Sequence, residues 1–177
     1  MCNFTHLDEQ GQLRMVDVGD KASTERRAAA SCLVLVGPKI FPLLMSGRLP
    51  KGDVWAAARL AGIMAAKNTA QLIPLCHTLP LSGVDIEFTP HREDNAVIIS
   101  ARVRTFARTG VEMEALTAAA VAALTVYDMC KAVDRGVIIE RLQLEEKSGG
   151  ASGEYIRASN PAKNLVESKK VGIGNGT

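Results

Sequence analysis

Apolar residues fill most positions between 111 and about 133, and polar residues interrupt them at steps of three or four. This spacing predicts one long helix, because residues three and four apart share a helix face. The interrupting positions form a stripe: Glu114, Thr117, Val121, Thr125 and Asp128. Lys131 follows three residues later and extends it. The neighbouring faces are rich in alanine, so part of the stripe should be buried, and buried charges need partners or a ligand. This favours a functional site over a surface ion pair of Asp128 and Lys131, the usual explanation of such spacing.

The other apolar runs predict a small sheet and two more helices. Runs rich in valine, leucine and isoleucine predict strands at 29–36, 84–89, 96–106 and 137–144, with a hairpin at 91–95. Helices are predicted at 38–46 and at 53–72, the second capped by Asp53. If these two helices form one crossover, the order β-α-β-β-α-β predicts a mixed α/β (α+β) domain of the ferredoxin-like type. Its sheet would be mostly antiparallel, with helices on one face and another subunit on the other.

Length and composition fit one folded domain followed by a tail. The 177 residues are 47% hydrophobic and 23% charged, which is typical of a soluble globular protein. We expect a single domain over 1–157, in which residues 1–27 are mostly irregular. Residues 158–177 are rich in Ser, Asn, Gly and Lys without periodicity, and we expect a disordered tail there.

Charge and cysteine content argue against several classes of function. The net charge of +2 is too small to indicate a nucleic-acid or membrane partner, and no apolar run approaches the roughly 18 residues of a membrane span. The four cysteines are scattered and form no C-x-x-C pair, so neither a disulfide framework nor a zinc ribbon is indicated. We expect a cytoplasmic protein with reduced thiols, no protein-bound metal site and no cofactor.

Several basic and polar side chains outside the long helix could carry chemistry. His77 follows Cys76 in an apolar, proline-bounded loop, where a histidine is most often a packed residue, although nearby Lys67 favours a functional role. Apolar neighbours should raise the pKa of Cys76 and argue against a nucleophile. Lys147 precedes two glycines whose amides could meet phosphate, although this composition also makes plain flexible loops. Lys51 precedes a predicted helix N-terminus, a place that favours anions.

A triphosphate-sized anion could be bound if the fold brought five cations together: Arg26, Lys51, Lys67, Lys131 and Lys147. Each of these alone is ambiguous, because a single lysine or arginine is most often a solvated surface residue.

Seven short segments combine into a more specific signature. They are Met-Val-Asp-Val at 15–18, Lys-Gly-Asp at 51–53, Ala-Ala-Lys at 65–67, Leu-Ile-Pro-Leu-Cys-His at 72–77, Thr-Gly-Val-Glu-Met-Glu-Ala-Leu-Thr at 109–117, Leu-Thr-Val-Tyr-Asp-Met-Cys-Lys-Ala at 124–132 and Lys-Ser-Gly-Gly at 147–150. In this order they closely resemble the cyclic pyranopterin monophosphate synthase family, the C proteins of molybdenum cofactor biosynthesis. The resemblance extends from about residue 5 to residue 157 and leaves out only the tail.

The resemblance implies a ferredoxin-like subunit in a homohexamer, a trimer of dimers with active sites at the dimer interfaces. The implied substrate is a cyclised GTP derivative, 3′,8-cyclo-7,8-dihydroguanosine 5′-triphosphate, supplied by a radical S-adenosylmethionine GTP cyclase. The implied products are cyclic pyranopterin monophosphate and diphosphate. The implied catalytic residues are Asp128 and Lys131, assisted by Lys51 and His77. The implied substrate contacts are Leu75, Cys76, His77, Met113 and Glu114, with Glu112 close by, and Arg26, Lys67 and Lys147 on the triphosphate.

The required chemistry agrees with these roles. Ring opening and ring formation need proton transfers, and expulsion of diphosphate needs cations near the leaving charge. We hypothesise that Lys131 and Lys51 exchange protons while Asp128 orients one of them. The chain departs from the family pattern at Thr78, where a proline is usual, and at Ala151, where a lysine or arginine is usual. The second departure leaves more of the phosphate binding to Lys147.

A non-catalytic module on the same fold is the alternative. An RNA-recognition domain has this element order, but it needs exposed aromatic residues on its central strands, and the segment 96–103 has none. A ferredoxin-like oligomerisation or ligand-binding module would use the polar helix residues in subunit salt bridges. It predicts that Lys51→Ala or Asp128→Asn disturbs assembly, whereas an enzyme would keep its assembly and lose turnover.

Overall fold

The computed structural model describes residues 6–8, 10–151 and 153–158. Its strands are β1 (Thr24–Leu35), β2 (Leu81–His91), β3 (Ala96–Ala107), β4 (Ile138–Ser148) and β5 (Tyr155–Ile156). Its helices are α1 (Gly37–Met45), α2 (Val54–Lys67), α3 (Thr69–Leu72) and α4 (Glu112–Cys130). Residues 1–5 and 159–177, which include Cys2 and nearly all of the predicted tail, lie outside the described residues.

The strands form one antiparallel sheet in the order β2-β3-β1-β4-β5. Strand β1 lies in the middle and pairs with β3 over its whole length, from Thr24 opposite Ala107 to Leu35 opposite Ala96. Together with α2 and α4 between the strands, this order confirms the predicted ferredoxin-like α+β fold. The first residues of β1 therefore lie beside the ends of β3 and β4, where residues 108–112 and 149–150 leave the sheet.

Helices α2 and α4 pack closely because small side chains face each other. A Cβ atom added at Gly62 would lie 3.0 Å from the carbonyl oxygen of Ala118 and 3.3 Å from the Cβ of Ala122. Both alanines are fully buried, and α4 packs on the same core as the inward residues of β1 and β3. Larger residues would force the helices apart. The two helices run antiparallel, so the loop that precedes α2 meets the C-terminal end of α4.

Helix α4 has the length and composition of a membrane span, and within the described chain it is the one helix that does. Its alanines are nevertheless packed in the core, and Ala115, Ala119 and Ala123 have no exposed surface. This is the arrangement of a core helix in a globular domain.

The observed elements differ from the predicted ones at their ends. Strand β1 begins at Thr24 instead of residue 29, because its first residues pair with β3 and β4 despite their polar character. The predicted helix 53–72 ends at Lys67, since the side chain of Asn68 donates to the carbonyl of Met64 and caps it, and the one-turn α3 follows. Strand β4 continues to Ser148, and the two-residue β5 was not predicted.

Candidate active site

An exposed carboxylate lies between two lysines at the C-terminal end of α4. Asp128 Oδ1 is 2.7 Å from Lys131 Nζ, and Asp128 Oδ2 is 2.9 Å from Lys51 Nζ. Lys51 Nζ also donates to the backbone carbonyl of Asp128 at 2.8 Å. Hydrogen bonds from Lys131 and then Lys51 lower the pKa of Asp128 to about 2. The carboxylate is therefore ionised throughout the neutral range and holds both ammonium groups in place.

Lys51 reaches this position through the turn that starts α2. Gly52 has a φ of 92°, a left-handed conformation that favours glycine. The side chain of Asp53 then accepts from the backbone N–H of Ala56 at 3.0 Å, which confirms it as the N-cap of α2. Because α2 lies antiparallel to α4, this turn places Lys51 beside the last turn of α4.

The N-terminal end of α4 forms one wall of a cavity of about 330 Å³. Its lining contains most of the residues expected to contact a substrate: Leu75, Cys76, His77, Glu112, Met113 and Glu114. Glu114 is only 3% exposed, and its Oε2 has no hydrogen-bond partner within the described residues. Burial, with a smaller effect of Glu112, raises the pKa of Glu114. A polar ligand in this cavity would supply the missing partner.

The loop between α3 and β2 holds His77 by one of its two ring nitrogens. Nε2 lies 2.8 Å from the carbonyl oxygen of Val16, and a carbonyl can only accept, so Nε2 carries the proton. In the neutral ring, Nδ1 is therefore the atom that can accept a proton. The neighbouring Cys76 has its pKa raised by burial and then by Glu114, as expected for a thiol that is not a nucleophile.

A larger cavity of about 720 Å³ adjoins the smaller one and is lined by Arg26, Arg108 and Gly150, among others. Arg26 is 9% exposed and its donors point to three backbone carbonyls: Ala107 at 3.4 Å, Gly149 at 3.1 Å and Arg108 at 3.2 Å. A Cβ atom at position 150 would collide with this guanidinium. The φ of 78° at Gly150 also favours glycine.

Lys147 and Lys67 lie near the same end of the molecule. Lys147 is part of β4 and not of the glycine-rich loop, and its Nζ is 3.4 Å from Glu112 Oε1. Lys67, the last residue of α2, lines a further cavity of about 440 Å³ that shares Leu79 with the 330 Å³ cavity. Each lysine is thus linked to the candidate substrate cavities through one lining residue, Lys147 through Glu112 and Lys67 through Leu79.

The polar stripe of α4 does not form one site within a subunit. Glu112 and Asp128 are sixteen residues apart on α4, so about 24 Å of helix separates them. Between them, Thr117 is buried, and Thr125 donates to the carbonyl of Val121 in its own helix. The prediction that part of the stripe is buried is confirmed. Its charged ends differ, because Glu112 lines a cavity whereas Asp128 is exposed.

The structure also adds residues that the sequence did not single out. Lys21 lines both cavities, Arg108 lines the larger one, and Val16 holds His77. The signal for Val16 was its place in one of the seven family segments, whereas nothing in the sequence distinguishes Lys21 from other polar residues nearby. In the described part of the chain, no three His, Cys, Asp or Glu side chains converge on a position for a metal ion.

Comparison with known proteins places the chain in a family. Residues 15–150 match the model of the MoaC family. The chain is 58% identical over 163 residues to cyclic pyranopterin monophosphate synthase of Thermomicrobium roseum, covering 92% of the chain and 98% of the relative. It is 55% identical over 162 residues to the protein of that name from Pelotomaculum thermopropionicum, covering 92% and 95% respectively. The corresponding protein of Chloroflexus aurantiacus is 58% identical over 154 residues, covering 87% and 94%. The chain, with its two charged helix ends and its paired cavities, belongs to the MoaC family.

Proposed function

We propose that this protein converts 3′,8-cyclo-7,8-dihydroguanosine 5′-triphosphate to cyclic pyranopterin monophosphate and diphosphate, as a lyase of molybdenum cofactor biosynthesis. Its family and the names of relatives at 55–58% identity support this activity. The supporting structural observation is the group formed by Lys51, Asp128 and Lys131, because it places two proton-carrying ammonium groups on one ionised carboxylate. The protein would act in the cytoplasm on a substrate made by a radical S-adenosylmethionine GTP cyclase.

In this proposal the two lysines transfer the protons and Asp128 orients them. A carboxylate with a pKa of about 2 is a poor base near neutral pH, so its contribution is to hold Lys51 and Lys131 and to stabilise their positive charge. Lysine and arginine side chains near the leaving diphosphate would stabilise the developing negative charge. His77 Nδ1 would accept or return a proton at the ring system of the substrate.

The two ends of α4 have to be joined, and we propose that a second copy of the chain does this. About 21 Å of helix separates Glu114 from Asp128, which is too far for one substrate to contact both in the same subunit. A two-fold axis across the helices would place the Asp128 end of one copy against the Glu114 end of the other, and conversely. Each dimer would then contain two complete sites, each built from both subunits.

Exposed apolar side chains on the helical layer support this assembly. Leu60 is 59% exposed, Met64 is 53% exposed and Leu124 is 58% exposed. All three lie on α2 and α4, the helices that join the two half-sites. Large apolar side chains exposed in this way are typical of a subunit interface.

A second apolar surface lies on the face of the sheet that the helices leave open. It includes Phe106, Ile138 and Ile156, all more than half exposed. Contacts through this face would assemble three such dimers into a homohexamer.

The direct test is incubation of the purified protein with the cyclised GTP derivative, followed by assays for diphosphate and the pyranopterin product. Wild type and Lys131→Ala would be compared, and each would be sized by light scattering. We expect product from wild type and a loss of at least about 100-fold for Lys131→Ala at unchanged size. Full turnover by Lys131→Ala would overturn the role of the lysine. An inactive wild type, with an assembly that falls apart in Lys131→Ala, would favour the alternative of an oligomerisation module.

A further inference from the structure

We propose that Lys21 binds the phosphate chain of the substrate at the passage between the two cavities. The proposal rests on the function proposed above and adds a residue that the family signature does not include. Lys21 belongs to the polar segment before β1, outside the regular elements, and its backbone N–H donates to the carbonyl of Val18 at 3.1 Å. That turn fixes the backbone at the cavity wall and leaves the side chain exposed.

The two cavities adjoin because they share four lining residues: Lys21, Thr109, Gly110 and Glu112. The smaller cavity has apolar walls and the buried carboxyl of Glu114, which suit a flat ring system with polar edges. The larger cavity is lined by three cationic side chains and two glycines, which suit phosphate, and its one carboxylate, Glu112, is paired with Lys147. A nucleotide with its ring in the first cavity and its phosphates in the second would have to pass the shared wall. Among the lysines and arginines that line these cavities, Lys21 alone lines both.

Two other cations at this end, Arg26 and Lys147, already have protein partners. Arg26 directs its Nε, Nη1 and Nη2 at three backbone carbonyls and has little exposed surface. It therefore holds together the end of β3 and the segment that follows β4. Lys147 is paired with Glu112. By contrast, the ammonium of Lys21 makes no ion pair or hydrogen bond with any residue in the described ranges. A lysine with three uncommitted donors at a cavity wall can bind phosphate oxygens without first breaking a protein contact.

Arg108 is the second exposed cation of the larger cavity, but it does not reach the smaller one. Lys21 is therefore suited to the phosphate nearest the ring system, and Arg108 to a more distant one. This division predicts that loss of Lys21 weakens binding of both triphosphate and substrate.

Inorganic triphosphate is a probe that requires no turnover. Its binding to the full-length protein would be measured by calorimetry for wild type, Lys21→Ala, Lys21→Arg and Arg27→Ala. Arg27 is the matched control, because it lies beside Arg26 on β1 but is exposed and paired with Glu25 at 2.7 Å. We expect Lys21→Ala to weaken binding about 10-fold to 100-fold, Lys21→Arg to recover most of it, and Arg27→Ala to change it less than about twofold.

Turnover gives a second readout. We expect Lys21→Ala to raise the KM for the cyclised substrate about 10-fold and to change kcat less than about threefold, because the contact is made before and during reaction alike. Thermal unfolding should be unchanged, since Lys21 is exposed. Equal triphosphate binding by wild type and Lys21→Ala would overturn the proposal, as would a wild type that binds no triphosphate. If Lys21→Ala weakened triphosphate binding but wild type converted no substrate, the role of Lys21 in phosphate binding would be supported and the proposed function contradicted.

Discussion

The two ends of α4 differ in almost every property that matters for catalysis. At the C-terminal end, Asp128 is exposed, ionised and held by two lysines over 2.7 and 2.9 Å. At the N-terminal end, Glu114 is buried, has an unpaired oxygen and a raised pKa, and faces a walled cavity. The C-terminal end offers two ammonium groups on one exposed carboxylate, and the N-terminal end offers a cavity with a buried carboxyl group. In the proposed function, chemistry and recognition are therefore separated along one helix, and a complete site would require both ends.

The largest effect should come from the exposed end. Asp128→Asn removes the charge that orients Lys51 and Lys131, and we expect kcat to fall by about 100-fold to 10,000-fold. The protein should unfold at nearly the same temperature, since Asp128 lies at the surface. The measurement is steady-state turnover beside a thermal scan.

Asp134→Asn is the matched control for this change. Asp134 lies just after the end of α4, also has a lowered pKa and pairs with one lysine, Lys39, at 3.4 Å. Its replacement should leave turnover within about twofold. If Asp134→Asn and Asp128→Asn lost activity equally, a general charge effect would replace the specific role of Asp128.

The pH dependence of the same variants distinguishes orientation from acid–base catalysis. The pKa of Asp128 is depressed below its unfolded value, so its ion pairs are intact above about pH 4 and are lost only as pH falls through about 2. The loss in Asp128→Asn should therefore be the same at about pH 5.5 and pH 8. A loss that disappeared at the lower pH would mean that Asp128 itself titrates during turnover.

A smaller effect, in stability, is expected at the buried end. The pKa of Glu114 is raised, so the folded state disfavours its ionised form, and stability falls as pH rises through the unfolded value of about 4.3. Glu114→Gln should thus stabilise the ligand-free protein by about 1 kcal/mol near pH 7.5 and by nothing below about pH 4. Thermal unfolding across this range measures the difference. A constant difference at all pH values would show that the pKa of Glu114 is the same in the folded and unfolded states, which would contradict its raised pKa.

The sequence predicted the fold well because its local signals agree with the tertiary contacts. The strand and helix order, the hairpin at 91–95 and the N-cap at Asp53 all follow from patterns that the structure retains. Strand ends were less predictable, since Thr24 and Arg26 enter β1 through pairing with distant strands rather than by their own propensity. The helix break at Asn68 depends on a side-chain hydrogen bond that periodicity does not record.

Candidate residues could be selected from the sequence, but their arrangement in the structure could not be predicted. Spacing put Glu114 and Asp128 on one helix face, yet it could not show that Glu114 is covered by the loop of His77 while Asp128 stays open. The sequence also provided no reason to separate Arg26 from the other cations. In the structure, the donors of Arg26 are directed at backbone carbonyls. Lys21 was missed because only the folded N-terminal segment brings it to the cavities.

The most direct test of the shared site is activity recovered by mixing two inactive variants, one altered at each end of α4. Lys131→Ala and His77→Ala would be unfolded, mixed in equal amounts and refolded, with different affinity tags to verify mixed oligomers. If each site uses one end from each copy, a mixed dimer contains one intact site, and the mixture should regain about a quarter of wild-type activity. A control mixture of Lys131→Ala and Asp128→Asn, both altered at the same end, should regain none. Mixed oligomers of Lys131→Ala and His77→Ala that stay as inactive as their parents would contradict a site built from two subunits.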